Sequence, residues 1–187
     1  ILKPAAKGSG FVFEDKTKGG VIPKEFLGLC RNGAEDAMNS GVIAGYPLVD
    51  IHVELIDGSY HEVDSSDMAF RIATSMAVRD GVKRAGPILL EPIMLVEVVT
   101  PQQYSGDILG DFNMRRGKID KIENRPDAQV IRGHVPLAEM FGYATRLRSL
   151  SQGRAIYTME FESYAPVSEA VGKDIVTKFG GSYQLVN

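Results

Sequence analysis

The order of secondary-structure patterns in the second half of the chain restricts the fold more than any other feature of the sequence. Apolar side chains that alternate every second residue predict strands, and those that recur every third and fourth residue predict helices. The patterns run as a strand over 93–99, a helix over 101–115, strands over 118–123 and 129–135, a helix over 137–150 and a strand over 155–164. This βαββαβ order predicts the ferredoxin-like split motif.

The first half of the chain predicts a mixed domain of strands and helices. Phe11 to Glu14 has the pattern of a strand end, and a helix opens at Pro23 with Cys30 on its apolar face. Strict alternation from Leu48 to Ile56 predicts a half-buried strand. The polar run from Asp64 to Asp67 supplies the N-cap of a second helix. The face of that helix expected to enter the core consists of Ala69, Ile72, Ala73 and Met76.

The predicted fold class is therefore α+β, with two domains and a C-terminal helix. Gly86-Pro87 separates a helical pattern from an apolar run, so we place the boundary there. The domains span 1–88, an α/β domain, and 89–164, the ferredoxin-like domain. Residues 165–187 are expected to form a short helix from Pro166 to about Thr177, followed by a frayed tail from Phe179 to Asn187.

Composition excludes several classes of protein. The 187 residues are 44% hydrophobic with a formal net charge of -3, as in ordinary soluble proteins. The longest stretch without charge, Ala37 to Val49, contains Gly41, Gly45 and Pro47 and is shorter than the roughly 20 apolar residues of a membrane helix. A single cysteine permits no internal disulfide, and no signal peptide opens the chain, so a cytosolic compartment is expected.

Motifs for catalysis are absent from the sequence. It contains no phosphate loop, no dinucleotide-binding glycine motif, no serine nucleophile elbow and no zinc-protease motif. The three histidines, His52, His61 and His134, lie on separate predicted elements without metal-ligand spacing. We therefore predict no catalytic residue, metal site or cofactor site in this chain.

Two groups of residues are candidates for binding. The first is the bend of Gly58, Ser59, Tyr60 and His61, which joins a strand to a helix. In one interpretation it exposes an aromatic ring and an imidazole that suit RNA bases or sugars. In the other it is a solvated turn with Tyr60 packed on the sheet. Arginines form the second group, because their planar fork suits phosphate. Arg115 and Arg116 complement a helix end, whereas Arg146 and Arg148 lie either on an RNA-phosphate surface or on a solvated face.

Several longer motifs, taken together, resemble bacterial elongation factor G, in order and almost without gaps from residue 1 to about 176. They are Gly19–Pro23, Ala44–Asp50, Gly58–Ser66, Leu89–Met94, Gly106–Asp111, Arg115–Gly117, Pro136–Ser149 and Gln152–Arg154. The resemblance implies that residues 1 to about 88, with the terminal helix, are most of the family's fourth domain, which has a fold seen in part of ribosomal protein S5. Residues 89 to 164 are then its fifth, ferredoxin-like domain.

The resemblance also implies roles for the candidate residues. The bend at Ser59, Tyr60 and His61 is then one loop of the tip that enters the decoding site and contacts the tRNA–mRNA duplex during translocation. The fifth domain lies by large-subunit RNA in this family, which makes five of its residues candidate RNA contacts. These are Arg115, Arg116, Tyr143, Arg146 and Arg148. The expected partners are both ribosomal subunits, and the chain is expected to be a monomer with no membrane contact.

The sequence departs from the family pattern in what it lacks. The GTP-binding domain, the next two domains, and the first strand and other tip loop of the fourth domain are missing, so we expect a fragment that cannot hydrolyse GTP. GTP and Mg²⁺ would bind the absent domain of the parent GTPase. The diphthamide-loop context of eukaryotic and archaeal relatives is also missing, so His61 is expected to be unmodified, in a bacterial cytoplasm or an organelle.

Three functions are compatible with the sequence. The first is the C-terminal part of a translocase, acting mechanically through the tip at His61. The second is a ribosome-protection or ribosome-recycling paralogue, although the Ser59, Tyr60 and His61 bend favours the translocase. The third is a ribosome- or RNA-binding module that has no GTPase.

Overall fold

The computed structural model describes residues 1–178, which divide into two compact units, one of Ile1–Ile88 with the segment from Ser168, and one of Leu89–Val167. Both units mix helices and strands, which confirms the predicted α+β class. The elements are β1 (Leu2–Pro4), β2 (Phe11–Asp15), α1 (Lys24–Ser40), β3 (Ile51–Leu55), α2 (Asp67–Arg84), β4 (Leu90–Thr100), α3 (Ser105–Met114), β5 (Lys118–Asn124), β6 (Gln129–Pro136), α4 (Tyr143–Ser151), β7 (Ile156–Pro166) and α5 (Glu169–Lys178). The predicted tail from Phe179 lies outside the described residues.

The first unit is built on a three-stranded sheet in the order β1-β3-β2. Strands β2 and β3 are parallel, from Phe11 opposite Ile51 to Asp15 opposite Leu55, and α1 forms the crossover between them. Strand β1, which the sequence analysis did not predict, pairs antiparallel with β3. Because β2 and β3 run in the same direction, the loops that follow Asp15 and Leu55 leave the same end of the sheet.

Helices α1 and α2 supply most of the core of this unit. Helix α1 buries the predicted apolar face, including Cys30, which is 1% exposed. Helix α2 instead buries Phe70, Val78 and Val82. The predicted inward face of α2 is wrong, because Ile72 and Met76 are 50% and 66% exposed.

The two helices approach closely at one glycine. A Cβ on Gly33 would lie 2.1 Å from the carbonyl oxygen of Arg71, so only glycine fits at this crossing. The side chain of Arg71 then reaches across to Asp36 of α1, donating from Nε at 2.5 Å and from Nη2 at 2.9 Å. The start of α2 is capped as predicted, with Ser66 Oγ accepting from the amide of Ala69 at 3.2 Å.

The second unit has the predicted βαββαβ order. Its four strands are all antiparallel, in the sheet order β5-β6-β4-β7. The inner strand β4 is buried at Val96 and Val98, both 0% exposed, and α3 and α4 cover this face with Ile108, Phe112 and Leu147. A single 3₁₀ turn (Leu137–Glu139) and left-handed Gly142 precede α4, which is therefore shorter than the sequence predicts.

Candidate nucleic-acid interface

The bend at Gly58–His61 lies in the loop that follows β3, at the end of the first sheet where β2 also finishes. The amide of Lys16 donates to the carbonyl of Leu55 at 2.8 Å and so extends the pairing of the two strands. A Cβ on Gly58 would lie 2.5 Å from Cδ1 of Ile22, which is 4% exposed. Glycine therefore lets the bend pack on the loop that follows β2.

Tyr60 is anchored by the aromatic residues beneath it. Its ring centroid lies 5.8 Å from that of Phe26, and Phe26 stacks on Phe70 at 4.5 Å. Tyr60 remains 40% exposed. Part of the ring is thus packed on helix α1, not on the sheet as the solvated-turn alternative has it, and the rest is open to solvent.

His61 combines a fixed backbone with an exposed side chain. Its amide donates to Ser65 Oγ at 2.9 Å, and its carbonyl accepts from the amides of Asp64 and Ser65 at 3.2 and 3.0 Å. Within residues 1–178 the imidazole has no hydrogen-bond partner. Both ring nitrogens are therefore available to a ligand.

The apex of this loop carries one residue that sequence reasoning missed. Val63 is 93% exposed, and a branched apolar side chain so open to water is a contact candidate. Its position after Tyr60-His61 in a loop was the signal available in the sequence. Asp57, Glu62 and Asp64 make the loop acidic, so it does not attract phosphates by charge, and hydrogen bonding, stacking and shape are the interactions it offers.

Arg115 is held inside the second unit. Its Nε donates to Asp111 Oδ2 at 2.6 Å, Nη1 donates to the carbonyl of Glu139, and its Cζ lies 4.9 Å from the centroid of the Tyr143 ring. The side chain is 16% exposed. These contacts join α3 to the turn before α4, so Arg115 is a structural residue here.

Arg116 is also engaged by carboxylates. It donates to both oxygens of Glu91 at 2.9 and 2.8 Å and to Glu139 Oε1 at 2.9 Å. The hydrogen bonds with Glu91 and Glu139 raise the pKa of the guanidinium. Its backbone is left-handed, with a φ of 57°, which costs a non-glycine residue about 1 kcal/mol and aims the side chain at the two acids.

Tyr143 requires a correction. It is 1% exposed, with its ring edge-on to Phe112 and Tyr157 at 6.2 and 4.9 Å. Burial raises the pKa of its hydroxyl, which has no hydrogen-bond partner within residues 1–178. The predicted RNA contact is wrong because the ring is part of the core and presents no surface to a base.

Arg146 and Arg148 remain accessible. Arg146 donates from Nε to the buried Asp111 Oδ1 at 3.1 Å, and its side chain is 48% exposed. Arg148 is exposed, and its side chain has no partner within residues 1–178. Buried Leu147 lies between them on α4, and the structure does not bring the two guanidinium groups onto one face.

Phe141, 81% exposed just before α4, is a further surface residue that the sequence analysis did not select.

One group of side chains in the first unit has donors close enough for a metal ion. Glu14, His52 and Glu54 place ligand atoms within 4.8 Å of one another. However, the ammonium groups of Lys16 and Lys3 bind Glu54 Oε1 at 2.6 and 2.7 Å. Because two cations already neutralise this carboxylate, the cluster is an ion-pair network and we assign no metal to it.

Comparison with protein families matches both units. Residues 1–86 match elongation factor G, domain IV, and residues 88–175 match the elongation factor G C-terminus. The chain belongs to the elongation factor G family. A protein from Thermus thermophilus of known crystal structure is 40% identical, with a TM-score of 0.87. The match covers 96% of this chain and 27% of that one.

The family assignment identifies the two units by domain. His61 lies in the residues that match domain IV of elongation factor G, and Arg146 lies in those that match its C-terminus. That match extends to residue 175 and includes most of α5, which the structure groups with the first unit. Among residues 1–178, no helix combines the length and apolar character needed to cross a bilayer.

Proposed function

We propose that this chain is the C-terminal part of a translation factor that promotes GTP-dependent movement of tRNA and mRNA on the ribosome. The observation that carries the proposal is the loop of the domain IV unit, where His61 has a fixed backbone and a free imidazole. GTP with its Mg²⁺ binds a domain outside this chain. The factor works in a bacterial cytoplasm or an organelle.

The loop contributes positioning rather than bond cleavage. His61 and Ser59 offer hydrogen bonds, and Tyr60 and Val63 offer apolar surface, to a tRNA–mRNA duplex in the decoding site. Because Tyr60 is packed on Phe26, the loop is ordered before it binds and loses little conformational entropy on contact. A held duplex is then blocked from moving backwards.

His61→Ala in the full-length factor tests the tip. We expect translocation to slow while ribosome-stimulated GTP hydrolysis stays nearly unchanged, because the side chain contacts RNA and not nucleotide. Lys7→Ala, in the loop before β2 at the opposite end of the sheet, is the matched control. Equal loss of translocation and GTP hydrolysis in His61→Ala would contradict the tip assignment. Failure of the unchanged full-length factor to complement a strain depleted of elongation factor G would contradict a translocase role.

In the second unit, we propose that Arg146 and Arg148 contact ribosomal RNA and that Arg115 and Arg116 support the fold. Arg146→Ala and Arg148→Ala should each weaken ribosome binding and reduce the slope of log affinity against log salt by about 1. Thr145→Ala, on the same helix, should change neither. Arg116→Ala should lower stability, because it leaves Glu91 and Glu139 without their cation, but it should not change the salt slope. A reduced slope for Arg116→Ala would overturn its structural role.

A further inference from the structure

The outward side of α2 carries an apolar row that nothing in the described chain covers. Met68, Ile72 and Met76 are 65%, 50% and 66% exposed. Their four-residue spacing aligns them on one side of the helix, over about 12 Å or two turns. Helix α2 buries a different set of apolar side chains, Phe70, Val78 and Val82, so the exposed row is not part of its own core.

The row borders an open depression of about 390 Å³ on the side towards α1. Seven residues line it: Asp36, Met68, Arg71, Ile72, Ser75, Met76 and Arg79. Methionine is flexible and polarizable and adapts to a partner surface. An apolar groove accepts the apolar face of an amphipathic helix, whose own anchors recur every third and fourth residue.

Basic residues run beside the apolar row. Along α2, Arg79 comes eight residues after Arg71, and Lys83 comes four residues after Arg79. Arg71 is neutralised by Asp36, whereas the one hydrogen bond of the Arg79 side chain to the described residues goes to Ser40 Oγ, at 2.7 Å. Neither Arg79 nor Lys83 contacts a carboxylate within residues 1–178. The groove therefore presents uncompensated positive charge next to apolar surface.

We propose that the outer face of α2 docks an amphipathic protein helix whose own apolar row is flanked by Asp or Glu side chains. Such a helix would cover Ile72 and the two methionines and pair with Arg79 and Lys83. An RNA backbone would match the cations but leave the apolar row unmatched. A second copy packed antiparallel would place the two basic rows on the same side of the contact, where they repel. The site lies on α2, outside the loop that carries His61, and the proposal does not rest on the tip contact.

Peptide binding to the 187-residue chain tests the proposal. The probe is a fluorescein-labelled helical peptide with leucines at four-residue spacing flanked by glutamates, and the control peptide has lysine at every glutamate position. Fluorescence polarisation should show binding of the acidic peptide only. Ile72→Glu should weaken it at least about tenfold. Met114→Glu, at an equally exposed methionine of the second unit, should change nothing.

A second variant keeps the test independent of folding. Arg79→Glu should weaken the acidic peptide and strengthen the lysine peptide, which a misfolded protein would not do. Equal binding of the two peptides by the unchanged chain, or equal loss with Ile72→Glu and Met114→Glu, would overturn the proposal. Sedimentation showing a dimer that Ile72→Glu dissociates would also overturn it, since the row would then serve self-association.

Discussion

The ring of Tyr60 lies against the ring of Phe26, with the two centroids 5.8 Å apart and an interplanar angle of 34°. Phe26 in turn stacks on Phe70 from α2 at 4.5 Å. The loop that carries His61 is thus connected to the core by a chain of three rings. Its conformation depends on residues that are distant in sequence.

Phe26→Leu should therefore affect both stability and the loop. It preserves an apolar side chain but removes two aromatic contacts, so we expect the free energy of unfolding in urea to fall by about 1 to 3 kcal/mol. Amide hydrogen exchange at Tyr60 and His61 should become faster. Phe141→Leu, at an exposed site, is the control and should change neither measurement. Unchanged exchange in the loop would show that the ring contact does not order it.

Two glycines of α1 should respond oppositely to the same change. Gly28→Ala meets nothing within 4 Å and gains helix propensity, so it should raise the free energy of unfolding by about 1 kcal/mol. Gly33→Ala gains the same helix propensity but forces a Cβ against the Arg71 carbonyl, so it should lower the free energy of unfolding by about 2 kcal/mol or more. Urea denaturation of both variants checks this pair. Stabilisation by Gly33→Ala would contradict the close crossing of α1 and α2.

Glu54 should make the free energy of unfolding of the first unit depend on pH in the acid range. Hydrogen bonds from Lys16 and then Lys3 lower the pKa of its carboxyl from 4.5 to about 2. A lowered pKa in the folded state contributes stability that is full above the unfolded pKa and is lost as the pH falls towards the folded pKa. Glu54→Gln should thus be less stable than the unchanged chain above about pH 5, with the difference shrinking towards pH 2. Urea unfolding across this range is the measurement, and a difference that does not vary with pH would contradict it. Glu62→Gln, in the exposed loop, is the control.

Two buried tyrosines of the second unit offer a matched comparison. The hydroxyl of Tyr143 has no hydrogen-bond partner in the described chain, whereas that of Tyr104 donates to Gln152 Oε1 at 3.2 Å. Tyr143→Phe should leave the free energy of unfolding unchanged or raise it by about 1 kcal/mol, because it removes an unpaired buried polar group. Tyr104→Phe should lower it by about 1 kcal/mol. Thermal or urea unfolding distinguishes the two variants. A larger fall in the free energy of unfolding for Tyr143→Phe than for Tyr104→Phe would reveal a partner for the Tyr143 hydroxyl.

Periodicity predicted the elements of this chain better than the faces they bury. The ferredoxin-like order, the α1 face with Cys30 and the cap of α2 were all evident because each depends on residues close in sequence. Strand β1 was missed, since three residues carry no period and only pairing with β3 defines the strand. The inward face of α2 was wrong because that helix has two apolar rows, and spacing alone does not show which one meets the core.

The candidate site residues show the same contrast between features that depend on local sequence and features that depend on distant partners. The loop at His61 was evident from local sequence, because a turn exposes whatever residues it contains. The arginines were harder to interpret, because their partners are remote: Arg116 pairs with Glu91 and Glu139, which are 25 and 23 residues away. Positive charge in a sequence does not reveal the carboxylate that neutralises it in the fold. Arg146 and Arg148 stay as predicted contacts only because the structure leaves their side chains accessible.

Helix α5 gives the first unit an unusual order of assembly. That unit consists of Ile1–Ile88 and the segment from Ser168, with Gly172 and the 1% exposed Val176 as its buried residues in α5. During synthesis all of Leu89–Val167 is made before α5. The second unit, continuous in sequence, is complete while the first still lacks its closing helix. The unit that begins the chain therefore receives its last element after all of the second unit has been made.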